Sequence, residues 1–234
     1  MISWQIFSHL FSLRWQRHWQ ARRLLGQPAA APLLAYLESP LAEREADWDT
    51  VNYLALDLET SGVTPGLDDI LSFGWVCLDG AEIRLGTARH HLVRPRRALR
   101  EENVAIHRIT DDCAAGGQSL RVVLADFLVA LTGRVLIAHY SPTEVGFIDA
   151  ACRACYGGAF LPPVIDTLEL AKRSAPHHRP GSLRLPALRA SHHLPRYPLH
   201  NALSDALAAA ELFLAQAEAE SAQRKCHLRQ LQRN

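Results

Sequence analysis

The chain has 234 residues, 48% of them apolar and 21% charged, with a formal net charge of +1 at pH 7. Such a composition fits a soluble globular chain with room for one domain, a sizeable core and an appendage. It excludes a polycation that coats duplex nucleic acid, while a small local anion site stays open.

Residues 1 to about 25 read as an amphipathic helix, with Trp4, Phe7, Leu10, Phe11 and Trp15 at helical spacing and Arg14, Arg17 and Arg22 between them. The run QPAAAP (27–32) breaks it, and a short helix follows to Leu41. Two placements fit the pattern: an extension docked on the domain, or a helix for a protein partner or membrane surface. Docking is the favoured expectation. From Val51 the period changes. YLALDLE (53–59) reads as a buried strand, ILSFGWVCLDG (70–80) as a second that ends in an Asp-Gly turn, and AEIRLGTARHHLVRP (81–95) as a third that pairs back. EENVAIHRI (101–109) and SLRVVLADFLVAL (119–131) read as helices, and RVLIAH (134–139) as a fourth strand. A helix opens at Ser141-Pro142, PVID (163–166) is a fifth strand, and TLELAKR (167–173) and LRLPALRAS (183–191) are helical. A long Ala-rich helix starts near Asn201, and a short charged helical tail closes the chain from residue 218. The order βββααβαβαα implies an α/β fold on a mixed sheet: an antiparallel trio, then strands added in parallel through helices.

The five cysteines (Cys77, Cys113, Cys152, Cys155, Cys226) make no regular framework, and Cys152-x-x-Cys155 falls inside a helical pattern. Small buried thiols in a reduced, cytoplasmic compartment are expected. No secretory signal is visible, and Arg14, Arg17, Arg22 and Arg23 interrupt any spanning run near the start. His177-His178 and His192-His193 lack an accompanying Cys or acid set, so no zinc site is assigned.

Asp57 and Glu59 sit in an otherwise apolar strand. Residues i and i+2 of a strand share a face, about 7 Å apart along the chain. Both carboxylates therefore point together at the strand's C-terminal end, where open α/β sheets place their sites. Acids forced together repel unless a proton or a cation intervenes, and hard divalent ions are held this way. The Thr60-Ser61-Gly62 turn follows, with backbone N–H groups able to meet a substrate oxygen. Taken alone, the pair fits solvated acids at a strand exit slightly better. Glu144 adds a third carboxylate in the first turn after the fourth strand. Ser141-Pro142-Thr143-Glu144 also fits a capping box, with Ser141 as N-cap and Glu144 at N3. In HNALSDA (200–206), His200 precedes Asp205 by five residues, about 140° apart if both were on one helix. They converge if Asn201 is the N-cap and His200 hangs from the preceding loop.

These segments resemble the DnaQ-like 3′–5′ exonucleases of the DEDDh type, on a ribonuclease H-like fold. DLETSG at Asp57 matches the first motif, AHYSPTEVGFI (138–148) the second, HNALSDA the third, and HLVRPRRALREENVAIHRIT (91–110) the segment ending in an I-H-G-I-T-like stretch. The second motif departs from the usual pattern, with Tyr140 in place of Asn and Glu144 in place of Asp; Arg108 stands for the Gly of I-H-G-I-T. The resemblance divides the chain into an N-terminal helical extension (1–50), an exonuclease domain (51–217) and a C-terminal helical tail (218–234).

What the resemblance implies is a two-metal phosphodiester hydrolase with Mg²⁺ or Mn²⁺, its ions about 3.5–4 Å apart. Asp57 would bridge them, Glu59 and Asp205 would complete the ion beside the attacking water, and Glu144 would support the second. His200 would accept the water's proton. Thr60, Ser61, Ile106, His107 and His139 would bind the terminal nucleotide, with Ile106 and His107 as its platform. Arg94, Arg96, Arg97, Arg100 and the stretch Arg173 to Arg196 are candidates for backbone phosphates, though most suit a solvated face. The expected substrate is the 3′ end of single-stranded or frayed DNA. The alternatives are the same chemistry on RNA, decided by the 2′-OH, or a non-catalytic nucleic-acid-binding scaffold, against which the full acid set argues. A partner protein could engage the N-terminal helices; the short tail suggests a free-standing enzyme rather than a polymerase-bound one.

Overall fold

A computed structural model describes residues 4–97, 116–174, 177, 179, 181–198, 200–222 and 225–232, with side chains from residue 13 onward. Among the described residues five strands form one sheet: β1 (Asn52–Thr60), β2 (Ile70–Asp79), β3 (Glu82–Leu92), β4 (Val135–Ala138) and β5 (Val164–Asp166), in the order β3-β2-β1-β4-β5. β1 to β3 pair antiparallel and β1, β4 and β5 parallel, so the mixed sheet expected from the element order is present. The helices are α1 (Trp4–Leu24), α2 (Ala31–Glu38), α3 (Leu120–Leu131), α4 (Pro142–Tyr156), α5 (Thr167–Ser174), α6 (Leu185–Ser191), α7 (Ala202–Ser221) and α8 (Leu228–Leu231). The expected helix at 101–109 lies outside the described residues.

Alternation along β1 sorts its side chains to two faces. Leu54, Leu56 and Leu58 join Phe73, Phe127, Ile148 and residues of α1 and α2 in one core. Tyr53 and Ala55 join Val76, Ile137, Ala210 and Phe213 in a second core under α7. Both faces are covered, which is why the strand reads as a near-continuous apolar run. Asp57 and Glu59 continue the parity of Tyr53 and Ala55, and so lie on the α7 side.

The extension docks. Arg17 is buried on α1 and donates to the carbonyls of Leu161 (2.8 Å) and Tyr36 (2.5 Å), with its guanidinium over the Tyr36 ring. A buried cation is tolerated when acceptors surround it. The inward stripe is therefore Arg17, Ala21 and Leu24, at i, i+4 and i+7. Trp15, assigned to the apolar face by spacing, is 57% exposed and meets the Trp19 ring (54% exposed) in a tilted pair with centroids 6.1 Å apart. The tail also packs. Residues 225–232 fold back: the Trp48 N–H donates to the Cys226 carbonyl, the Leu228 N–H to that of Ala46, and Cys226, Leu228 and Leu231 are buried beside α7. Arg173 donates to the carbonyls of Gln230 and Leu231 at the end of α8.

One glycine seats α7. Gly74 lies opposite Asp57 on β2, and a Cβ there would come within 2.0 Å of the Ala202 carbonyl carbon and 2.1 Å of the Leu203 nitrogen. The bare backbone lets the first turn of α7 rest on the sheet beside the acids.

Candidate active site

Parallel pairing of β1 with β4 runs from Tyr53↔Val135 to Ala55↔Ile137. β1 continues past it, so Asp57 and Glu59 emerge where the neighbouring strand has turned away, and the register shift at Glu59/Thr60 bends the strand end. Asp205 meets them from the first turns of α7. Asp57, Glu59 and Asp205 each offer a carboxylate oxygen, all within 4.8 Å of one another. Asn201 is the N-cap of α7, its side chain accepting the Ser204 N–H at 3.1 Å, which places His200 in the preceding loop as expected. Asp205 Oδ2 accepts the N–H groups of His200 (3.0 Å) and Asn201 (3.3 Å). His200 is left-handed (φ 64°) and exposed.

The charges are frustrated as they stand. Burial, then the Glu144, Glu59 and Asp205 carboxylates, push the Asp57 carboxyl well above its ordinary value. Burial, then Glu59, raise Asp205 as well, against the hydrogen bonds from Asn201 and His200. Glu144 is 4% exposed, and burial carries its carboxyl to about 8. Its Oε2 is buried with no hydrogen-bond partner. Clustered carboxylates with an unsatisfied oxygen are the donor set of a hard divalent cation, which would relieve both the repulsion and the vacant lone pair. The residues fit such ions.

The capping box at Ser141 does not form. Ser141 is helical (φ −48°, ψ −24°) and its side chain accepts no helix N–H. Its N–H and Oγ–H both donate to Asp166 Oδ2, at 2.8 and 3.0 Å. Asp166, buried at the end of β5, also accepts the N–H groups of Tyr140 (3.1 Å) and Leu168 (3.0 Å). The Asp166 carboxylate takes the Ser141 N–H that a capping box would give to Glu144, and the Glu144 carboxylate acts on Asp57. Sequence reasoning missed Asp166; the available signal was an acid closing an apolar strand just before a helix. Tyr140, left-handed at φ 69°, is held by this same carboxylate.

The other expected site residues are distributed differently. Thr60 donates through Oγ1 to the Gly62 carbonyl, and Ser61 Oγ accepts the Asp69 N–H, so both hydroxyls serve the turn after β1. His139 is half-buried, with Nδ1 2.8 Å from Thr167 Oγ1 and Nε2 3.1 Å from the Leu183 carbonyl. A carbonyl only accepts, so Nε2 carries the proton and Nδ1 accepts from Thr167 in the neutral ring. Burial lowers its pKa. Ile106 and His107 lie outside the described residues, as does Arg100.

The exonuclease family model RNase_T matches residues 54–213. The chain belongs to the DnaQ-like 3′–5′ exonuclease family. Among its curated relatives the chain is 30% identical over 174 residues to the DNA polymerase III subunit epsilon of Treponema pallidum, covering 71% of the chain and 79% of the relative. It is 30% identical over 186 residues to the PolC-type DNA polymerase III of Thermotoga maritima, covering 77% of the chain and spanning 13% of that protein's length. Its fold is that of exonuclease X in complex with 5′ overhanging duplex DNA, with TM-score 0.57, 23% identity, and 74% and 96% of the two chains covered. It is likewise that of the E. coli ExoI–ssDNA complex, with TM-score 0.62, 18% identity, and 74% and 41% covered.

Proposed function

We propose that the enzyme removes nucleotides from the 3′ end of single-stranded or frayed DNA by a two-metal mechanism, releasing nucleoside 5′-monophosphates. The observation that carries this is the convergence of Asp57, Glu59 and Asp205 within 4.8 Å, with an unsatisfied Glu144 oxygen beside them. Asp57, Glu59, Asp205 and Glu144 would hold two divalent cations, Mg²⁺ or Mn²⁺. When bound, the ions supply positive charge that offsets the charge developing on the phosphoryl oxygens and the leaving 3′ oxygen. His200, on its exposed loop, accepts a proton from the attacking water; an imidazole suits proton transfer near neutral pH. The water oxygen bonds to phosphorus as the bond from phosphorus to the 3′ oxygen of the preceding nucleotide breaks; that oxygen takes a proton from solvent, and the terminal nucleotide leaves as its 5′-monophosphate. Thr60 and Ser61 shape the turn beside the acids, and His139 ties the end of β4 to Thr167 and Leu183. Relatives named as a PolC-type DNA polymerase III and a DNA polymerase III subunit epsilon favour DNA.

Among the described residues no helix is long and apolar enough to cross a membrane. A cytoplasmic enzyme acting on nucleic-acid 3′ ends accords with its buried Cys77 and Cys152, which form no disulfide among the described residues. Degradation of end-labelled DNA and RNA oligomers with Mn²⁺ tests the reading. Asp57→Ala and His200→Ala are each expected to cut the rate by on the order of 100-fold or more, with DNA degraded faster than RNA. Unchanged degradation by either variant refutes the mechanism.

A further inference from the structure

Among the described residues of the loop that carries His200, two offer no backbone donor and two are left-handed. Pro195 and Pro198 lack an N–H, and His193 (φ 56°) and His200 (φ 64°) are left-handed. Its order comes from outside. Arg189 on α6 is 3% exposed. Its guanidinium donates to the Pro195 carbonyl in the loop at 2.8 Å, to the Ala208 carbonyl on α7 at 2.7 Å, and to Glu211 Oε2 on α7 at 2.6 Å. The same group lies 4.6 Å from the centroid of the Tyr197 ring, and Tyr197 Oη donates to Glu211 Oε1 at 2.8 Å. The Leu194 N–H returns to the Arg189 carbonyl at 2.9 Å.

A buried guanidinium has a rigid fork of donors and must find acceptors for them, so the groups around it have few alternative placements. The fork joins α6, the loop and α7 at one point. Tyr197 and His200 are three chain steps apart, a reach of at most about 10 Å. The far end of the segment is tied by Asp205, which accepts the His200 and Asn201 N–H groups. We propose that Arg189, with Glu211 and Tyr197, forms a clamp that positions His200 over the acid cluster. The three residues act through the loop and touch neither substrate nor ion. This assignment rests on His200 being the base.

Tyr197→Phe tests it, because the variant keeps the ring under the guanidinium and deletes only the bond to Glu211. The full chain is assayed with Mn²⁺ on the p-nitrophenyl ester of thymidine 5′-monophosphate, whose reactive leaving group keeps slow variants measurable. Tyr197→Phe is expected to lower kcat roughly tenfold with KM unchanged, as misplacement of a reacting group does. In a His200→Ala background the same substitution is expected to cause no further loss, because coupled residues are non-additive. A full tenfold loss in that background, or an unchanged kcat in the single variant, overturns the clamp. If His200→Ala itself leaves kcat intact, the base assignment fails and the clamp fails with it. The two failures are thus told apart by the His200→Ala rate alone.

Discussion

Glu144→Gln separates the energetic cost of the acid cluster from its use. In the metal-free protein the Glu144 carboxyl sits at about 8, against 4.5 for the ordinary group. The folded state therefore binds more protons than the unfolded state between those values, and stability falls as pH rises through that window. Below 4.5 the penalty vanishes, and above about 8 it is complete. From pH 5 to pH 7 it grows by two pH units at about 1.4 kcal/mol each, roughly 3 kcal/mol. For a chain of this size that lowers the melting temperature by roughly 5–10 °C. Asp57 and Asp205 are raised as well and add in the same direction. Melting curves in EDTA from pH 5 to pH 8 measure it. Wild type is expected to lose stability steadily, and Glu144→Gln to lose less by about 1.4 kcal/mol per pH unit in the middle of the range. Saturating Mn²⁺ should flatten the wild-type curve, since a cation favours the ionised carboxylates, and should help Glu144→Gln less. Parallel wild-type and variant curves in EDTA would refute the reasoning.

Gly74→Ala places a Cβ against the Ala202 and Leu203 backbone, where no flexible side chain can yield; it should cost about 1–3 kcal/mol and lower kcat by on the order of 100-fold as Asp205 and His200 shift, and a wild-type rate and melting point would sink it. Asp166→Ala leaves the Tyr140, Ser141 and Leu168 N–H groups without their acceptor; a loss of about 3 kcal/mol or more is expected by urea denaturation, with a partial return in Asp166→Asn. His139 works in the opposite pH direction to Glu144. Its folded pKa is lowered by burial from 6.5, so the unfolded state binds more protons just below that value and stability is lost on acidification through it. His139→Gln should flatten this limb of the curve between pH 7 and pH 5.5, and an unaltered limb would exclude His139 as its source.

The strand carrying Asp57 and Glu59, the common face of those two acids and the N-cap at Asn201 were all legible in the chain, because each depends on neighbours within a turn or a pleat. Period-2 alternation dictates which side chains share a face whatever the partner strand is. The expected cap at Ser141 shows the limit of such local rules: its donors were claimed by Asp166, 25 residues away. Trp15 shows it on a helix, where spacing marks an apolar stripe but acceptors at Tyr36 and Leu161 decide which stripe turns inward. The sequence by itself determined the elements, their order and the chemical type of each acid, since these follow from local sterics and pattern. Only the tertiary structure decided that Gly74 seats α7, that Asp166 takes the Ser141 N–H while the Glu144 carboxylate acts on Asp57, and that Arg189 ties the His200 loop to two helices. Each of these joins residues from separate elements, and such a contact exists only once the layers have packed.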